Sequence, residues 1–233
     1  MMNQMKKTVC ALAVLATLSL PALAESIDVR VIGTITPSAC TPNLSGGGTV
    51  DYGAIKPETL SADDYTVLAE KQLDFSITCD APTKVALKAI NGRIGSLAGA
   101  TEGAGGYGVA PVALLTDDKP VSGGLGLDGE SKVGGYAVAM KPHTVQADGV
   151  DVDSIRSSDQ GQEWKASPAG ILSGNAWDSL WNSWSATGTK TPVAFESLTG
   201  KLAVQAYINK VSELDLTKPV PLDGLTTIEL VYL

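Results

Sequence analysis

A 233-residue chain with a formal net charge of −8 and a single histidine is a poor partner for nucleic acid or an anionic membrane surface, which acidic proteins repel. Glycine is abundant and aromatics are few, and Val, Ile, Thr, Leu and Ala carry the apolar surface. This composition points to an all-β fold with many turns, of a length that suits one large domain.

The chain opens with the marks of a secretory signal over residues 1–24. Lys6 and Lys7 are followed by an apolar run from Thr8 to Leu20, too short to span a bilayer, then Pro21 and the small-residue site Ala22-Leu23-Ala24. The expected mature product is residues 25–233. Loss of Lys6 and Lys7 takes its charge from −8 to −10. No later run is long and apolar enough to cross a bilayer as a helix, so the product is expected in the periplasm, secreted, or assembled at the cell surface. Two cysteines remain after processing, Cys40 and Cys79. In an oxidising compartment an even count reads as a disulfide. Its loop of about forty residues is worth roughly 4 kcal/mol on the chain-entropy model. The alternatives are two free thiols or a metal site, and two sulfurs without a nearby histidine do not build a tetrahedral zinc site.

Ile27, Val29 and Val31 alternate with Asp28 and Arg30, the pattern of a half-buried strand ending at Pro37. The residues after Cys40, T-P-N-L-S-G-G-G, read as a turn cluster. Residues 49–55 read as a second strand with Val50, Tyr52 and Ile55 inward, stopped by Lys56-Pro57. Residues 60–70 connect it to a strand over 72–79 with Leu73, Phe75 and Ile77 on one face. Asp80-Ala81-Pro82 is an expected turn, and Val85, Leu87 and Ala89 face one way on the strand after it. Residues 91–108 are glycine-rich, but lack the strand, helix and lysine of a phosphate cradle, so a mobile loop is expected. A strand is expected at 111–115 and another at 135–140, with Tyr136, Val138 and Met140 aligned. The end is strongly patterned: Leu202, Val204, Ala206 and Ile208 on one strand, a turn at 219–224, then Ile228, Leu230 and Tyr232 on the last strand, which ends at Leu233.

Four features invite chemical readings. His143 has no serine or cysteine nucleophile in a recognisable arrangement and reads as a surface residue. Asp148, Asp151 and Asp153 either converge on calcium or form a solvated acidic hairpin. Ser157, Asp159, Gly161 and Trp164 fit S-x-D-x-G-x-x-W, which resembles the Asp box of sialidases and related β-propellers. There the aspartate and serine bond the backbone of a turn, and the tryptophan packs beneath it. Propellers carry several copies and this chain carries one, so the feature is read as a structural hairpin. Trp177, Trp181 and Trp184 stand at i, i+4 and i+7. On a helix they would share one face, either a candidate ligand surface for stacking sugars or a buried packing face. No catalytic residue, metal site or cofactor is predicted.

The order of features resembles a chaperone–usher fimbrial, or pilin-like, subunit. The carrying residues are V-I-G-T-I-T-P-S-A-C at 31–40, T-V-D-Y-G-A-I at 49–55, F-S-I-T-C-D at 75–80 and I-E-L-V-Y-L at 228–233, with Tyr232 penultimate. More narrowly, T-I-T-P-S-A-C-T-P, T-C-D-A-P-T-K-V and I-N-K-V-S-E-L-D-L look like a little-characterised group of exported fimbrial-like bacterial proteins. The resemblance implies an immunoglobulin-like β-sandwich over 25–233 with elaborated loops at about 91–190, lacking its last strand. It implies Ile27, Val29 and Val31 as a donor strand. It also implies Ile228, Leu230, Tyr232 and Leu233 as the edge offered to a periplasmic chaperone, before an outer-membrane usher and other subunits. Eight residues, Glu25 to Ile32, precede Gly33, fewer than in a typical major pilin. The function expected is a non-enzymatic structural or adhesive subunit of a fimbrium, with a glycan receptor as a further partner. The alternative is a self-complete secreted or periplasmic carbohydrate-binding module. A glycoside hydrolase would need two carboxylates at a defined separation, and the sequence singles out no pair.

Overall fold

The computed structural model describes residues 29–33, 38–172 and 180–233. The chain forms two compact units, Met1–Thr36 and Pro37–Leu233. The predicted signal peptide over 1–24, Ile27 and Trp177 lie outside the described residues. In the first unit, residues 29–33 carry no regular secondary structure, and Val29, Val31 and Ile32 are exposed. The strand expected here is therefore not formed by its described residues. Alternation makes a strand only when a neighbour takes up its backbone groups, and no ladder among the described residues includes these.

The second unit is an all-β, immunoglobulin-like sandwich with one disulfide. We label its principal strands β1 (Cys40–Leu44), β2 (Lys71–Thr83), β3 (Val85–Asn91), β4 (Gly134–Met140), β5 (Val150–Ser157), β6 (Trp181–Ala186), β7 (Phe195–Ile208) and β8 (Thr226–Tyr232). One layer runs β1-β2-β7-β4 and the other β8-β3-β6-β5, every pairing antiparallel. The short strand Gln146–Ala147 pairs with both β5 and β7 and ties the layers together. Between them lies one buried cluster built from alternate positions. Phe75 and Ile77 of β2, Val85 and Leu87 of β3, Val138 and Met140 of β4, and Leu202 and Val204 of β7 all enter it, as the alternation predicts.

The turn expected after Cys40 is instead β1. The Cys40–Cys79 disulfide sets these residues opposite each other with Cα atoms 4.0 Å apart, and the ladder continues from there to Leu44 opposite Phe75. Pro42 is tolerated because β1 is an edge strand. The turn falls at Ser45–Gly48, where Gly46 and Gly47 take φ of +62° and +63°. The turn expected at Asp80-Ala81-Pro82 is also absent. β2 runs to Thr83, and the chain crosses to the other layer at Lys84.

The glycine-rich stretch 91–108 is packed, contrary to the expected mobile loop. Leu97, Ala98, Ala110 and Leu114 form a second buried cluster with Ala137 of β4 and Tyr207 of β7, on the opposite side of that sheet from the main core. The Tyr207 hydroxyl donates to the Ala98 carbonyl at 2.6 Å. Glycine serves close approach here: a Cβ on Gly135 would come within 2.5 Å of the Leu97 side chain. Residues 111–115 make no strand. They form the turns that carry Leu114 into this cluster.

Candidate functional site

A groove of about 1080 Å³ enters the main core. Its floor is Leu73 of β2, Leu202, Val204, Ala206 and Ile208 of β7, and Val138 of β4. One lip is residues 49–56. The expected second strand is extended at its ends, with φ/ψ of −86°/127° at Thr49 and −82°/133° at Lys56, but Gly53 breaks it with φ of +65°, and it pairs with no strand. Val50 and Tyr52 turn inward onto the core as the alternation predicts, and Ile55 also does so, past the break at Gly53. Among the described residues, the backbone groups of 50–55 have one partner: the Gly53 N–H donates to the Asp51 carboxylate at 2.7 Å.

The opposite lip is β8. Its seven residues pair with β3 on one side only, and it ends its sheet. Ile228 and Leu230 pack on the core, as expected, while Tyr232 and Leu233 are about half exposed. The Cys40 N–H donates to the Tyr232 hydroxyl at 2.8 Å. This bond closes the sandwich at the disulfide end. Accordingly Thr226 and Ile228 border the groove and Leu230 does not. At the other end the Tyr136 and Thr226 hydroxyls are 2.6 Å apart. Burial pushes the Tyr136 phenol up, partly offset by that hydrogen bond. Two edges with unpaired backbone thus border an apolar floor, and such edges are prone to pairing.

The Asp-box-like hairpin forms the hydrogen bonds its pattern predicts. The Gly161 N–H donates to Ser157 Oγ at 2.8 Å, and the Glu163 N–H to Asp159 Oδ1 at 2.9 Å. Ser157 Oγ donates to Asp159 at 2.6 Å. The Glu163 backbone bond, then the Ser157 hydroxyl, hold the Asp159 carboxyl below its ordinary value. Gly161 takes φ of +88°, and a Cβ there would touch the indoles of both Trp181 and Trp164.

The tryptophan helix is overturned. Trp181 and Trp184 lie in strand β6, not on a helix. Three residues apart on a strand they point to opposite faces. Trp184 is 1% exposed, in the main core edge-on to Phe195 at 6.1 Å. Trp181 faces the Asp-box-like hairpin and is half-buried. They do not form one stacking platform.

His143 is exposed at a turn with φ of +60°. The three aspartates do not converge. Asp148 and Asp153 each accept from a backbone N–H, of Ser197 at 2.8 Å and of Gly188 at 2.8 Å, and Asp151 accepts from the side-chain amide of Gln146 at 2.9 Å. The turn expected at 219–224 falls instead at 216–217, and the segment 214–225 forms much of the groove's remaining wall, a placement not foreseen. The repeated apolar residues Leu214, Leu216, Val220 and Leu222 were its available signal.

A family model described as "Protein of unknown function (DUF1120)" matches residues 29–126. Protein GltF of Escherichia coli (strain K12) is 30% identical over 254 residues, spanning 98% of this chain and 99% of that protein. The chain belongs to the DUF1120 family. A second relative in the same organism, Uncharacterized protein YhcF, is 29% identical over 254 residues, with 100% of both chains covered. No solved structure matches the chain. The stretch of this DUF1120 protein that the family model matches contains the disulfide, β1 to β3 and the 49–56 lip, but not β8.

Proposed function

We propose that the protein is a structural or adhesive subunit of a fimbrial-type assembly, exported from the cell and completed by a strand from a partner. The observation that carries this reading is the groove between residues 50–55 and β8, open along both backbone edges. An isolated chain leaves these edges to water and to chance pairing. A periplasmic chaperone would supply a strand first, and a neighbouring subunit would supply it in the assembly, at the cell surface.

The length of the N-terminal segment supports the reading. The sandwich makes its own first strand from Cys40–Leu44, so it does not need the residues before Pro37. Ile27 to Gly33 spans roughly 23 Å when extended, and β8 also has seven residues. Ile27, Val29, Val31 and Gly33 alternate, as do the four floor residues Leu202, Val204, Ala206 and Ile208. Eight residues before Gly33 then suffice, because they serve only the neighbour. The binding surface is apolar and no catalytic constellation is invoked.

The test is periplasmic expression of the mature chain with and without a fimbrial chaperone, followed by size and protease analysis. The expected product is a chaperone complex that converts to multimers, with multimers lost in a Val29→Asp, Val31→Asp double variant. A protease-resistant monomer formed without a chaperone, and unchanged by the double variant, would sink the reading.

A further inference from the structure

We propose that residues 214–222, between β7 and β8, are a displaceable cover that shields the groove until a strand arrives. The proposal rests on the strand-addition reading above and names how that site is regulated. All but one of these nine residues border the groove, and Leu214, Val220 and Leu222 rest on the main core while staying partly exposed. They cover apolar surface as a strand would, yet they form no ladder. Among the described residues, the hydrogen bonds made by 215–222 are those of Thr217 to Asp215 and of Lys218 to Asp128.

The sequence explains why this segment does not become the missing strand. Pro219 and Pro221 have no backbone N–H, and two residues apart they fall on the same edge of an extended chain. That edge cannot zip onto a sheet. The segment therefore lowers the exposed apolar area without competing for the hydrogen bonds that an incoming strand will make.

Its attachment also suits release. Lys218 pairs with Asp128 at 2.8 Å, and Arg93 holds Asp223 through two bonds of 2.8 and 2.6 Å. The Arg93–Asp223 pair is in water on both sides, where ion pairs are weak and sensitive to salt, whereas Asp128 is largely buried and Lys218 alone is exposed in the other pair, the firmer of the two. The backbone bonds lie at its ends: Val211 N–H to the Ser61 carbonyl at 3.1 Å, and Asp223 N–H to the Leu125 carbonyl at 2.9 Å. A segment pinned at its two ends and held between them by side chains can lift as a unit.

The experiment uses the mature chain carrying Leu222→Cys, a thiol-reactive dye, and a synthetic peptide of residues 25–36 as the added strand. Labelling of Cys at 222 is expected to rise about tenfold when the peptide saturates the groove, as for a locally opened segment. Hydrogen exchange at 50–55 and 226–230 reports strand addition separately. Protection there with unchanged labelling overturns the cover and leaves the strand-addition reading standing. No protection at either edge overturns both. A Lys218→Ala, Asp223→Asn variant offers a second test that leaves the core intact. Peptide association should speed up about fivefold at low salt, less at high salt. An unchanged rate contradicts the proposal.

Discussion

The two ends of the sandwich are built from the same alternating pattern yet end differently. At the disulfide end, Cys40–Leu44 pairs residue by residue with β2, and the Cys40 N–H reaches the Tyr232 hydroxyl. At the other end, Val50, Tyr52 and, past the break at Gly53, Ile55 turn inward too, but their backbone finds no strand. Apolar burial therefore positions both segments, while ladder hydrogen bonds complete only one of them. Burial is satisfied by any apolar surface, whereas a ladder needs a second backbone at the right spacing. A chain can thus fold its core and still present an open edge.

The largest expected effect tests the closed part of the comparison. Trp184→Ala should lower unfolding stability by about 5 kcal/mol, since it empties the space against Phe195, as read by urea titration. Replacing Cys40 and Cys79 together by serine should lower it by about 4 kcal/mol and loosen the closed end as far as β1. If the pair costs under about 1 kcal/mol, the closed end is held by its ladder and not by the staple. Ile228→Ala, at the open end, should cost about 2 kcal/mol, because its side chain is only partly buried where it borders the groove. It should nonetheless weaken binding of the 25–36 peptide clearly. Equal losses at Trp184 and Ile228 would erase the contrast. Tyr232→Phe should cost about 0.5 kcal/mol by removing one partly exposed hydrogen bond.

The smallest effect depends on pH. Asp159 and Asp223 are both held below the ordinary aspartate value of 3.8, Asp159 chiefly by the Glu163 N–H and Asp223 chiefly by the Arg93 guanidinium. A depressed carboxyl contributes stability that is complete above its unfolded value and is lost as pH falls through the folded one. The Asp-box-like hairpin and the 214–222 cover should therefore loosen only below about pH 4. Tryptophan fluorescence from Trp164 and Trp181 would report the first. Thiol labelling at position 222 would report the second. Loosening already at pH 6 would show that other groups hold them.

Much of the fold was legible in local pattern. The faces of β2, β3, β4, β7 and β8, the pairing of Cys40 with Cys79, and the serine–aspartate–glycine turn at 157–161 all follow from residue types at short spacing. The half-buried lip at 50–55 was legible as an extended segment too, but not as an unpaired one. The tryptophans misled because i, i+4, i+7 is a helical spacing, and strand β6 sends Trp181 and Trp184 to opposite faces. The glycines at 91–108 misled because glycine marks close packing, as at Gly99 against Tyr65 and Gly108 against Leu97, as well as it marks a loop.

The amino-acid sequence by itself determined which side chains face inward, where the chain is stapled and where it turns, because each depends on neighbours a few residues away. Only the tertiary structure decided which extended segments lack a partner and that residues of 214–222 line the groove between them. Those outcomes depend on where distant strands meet, and the same alternating run serves equally well paired or waiting for its neighbour.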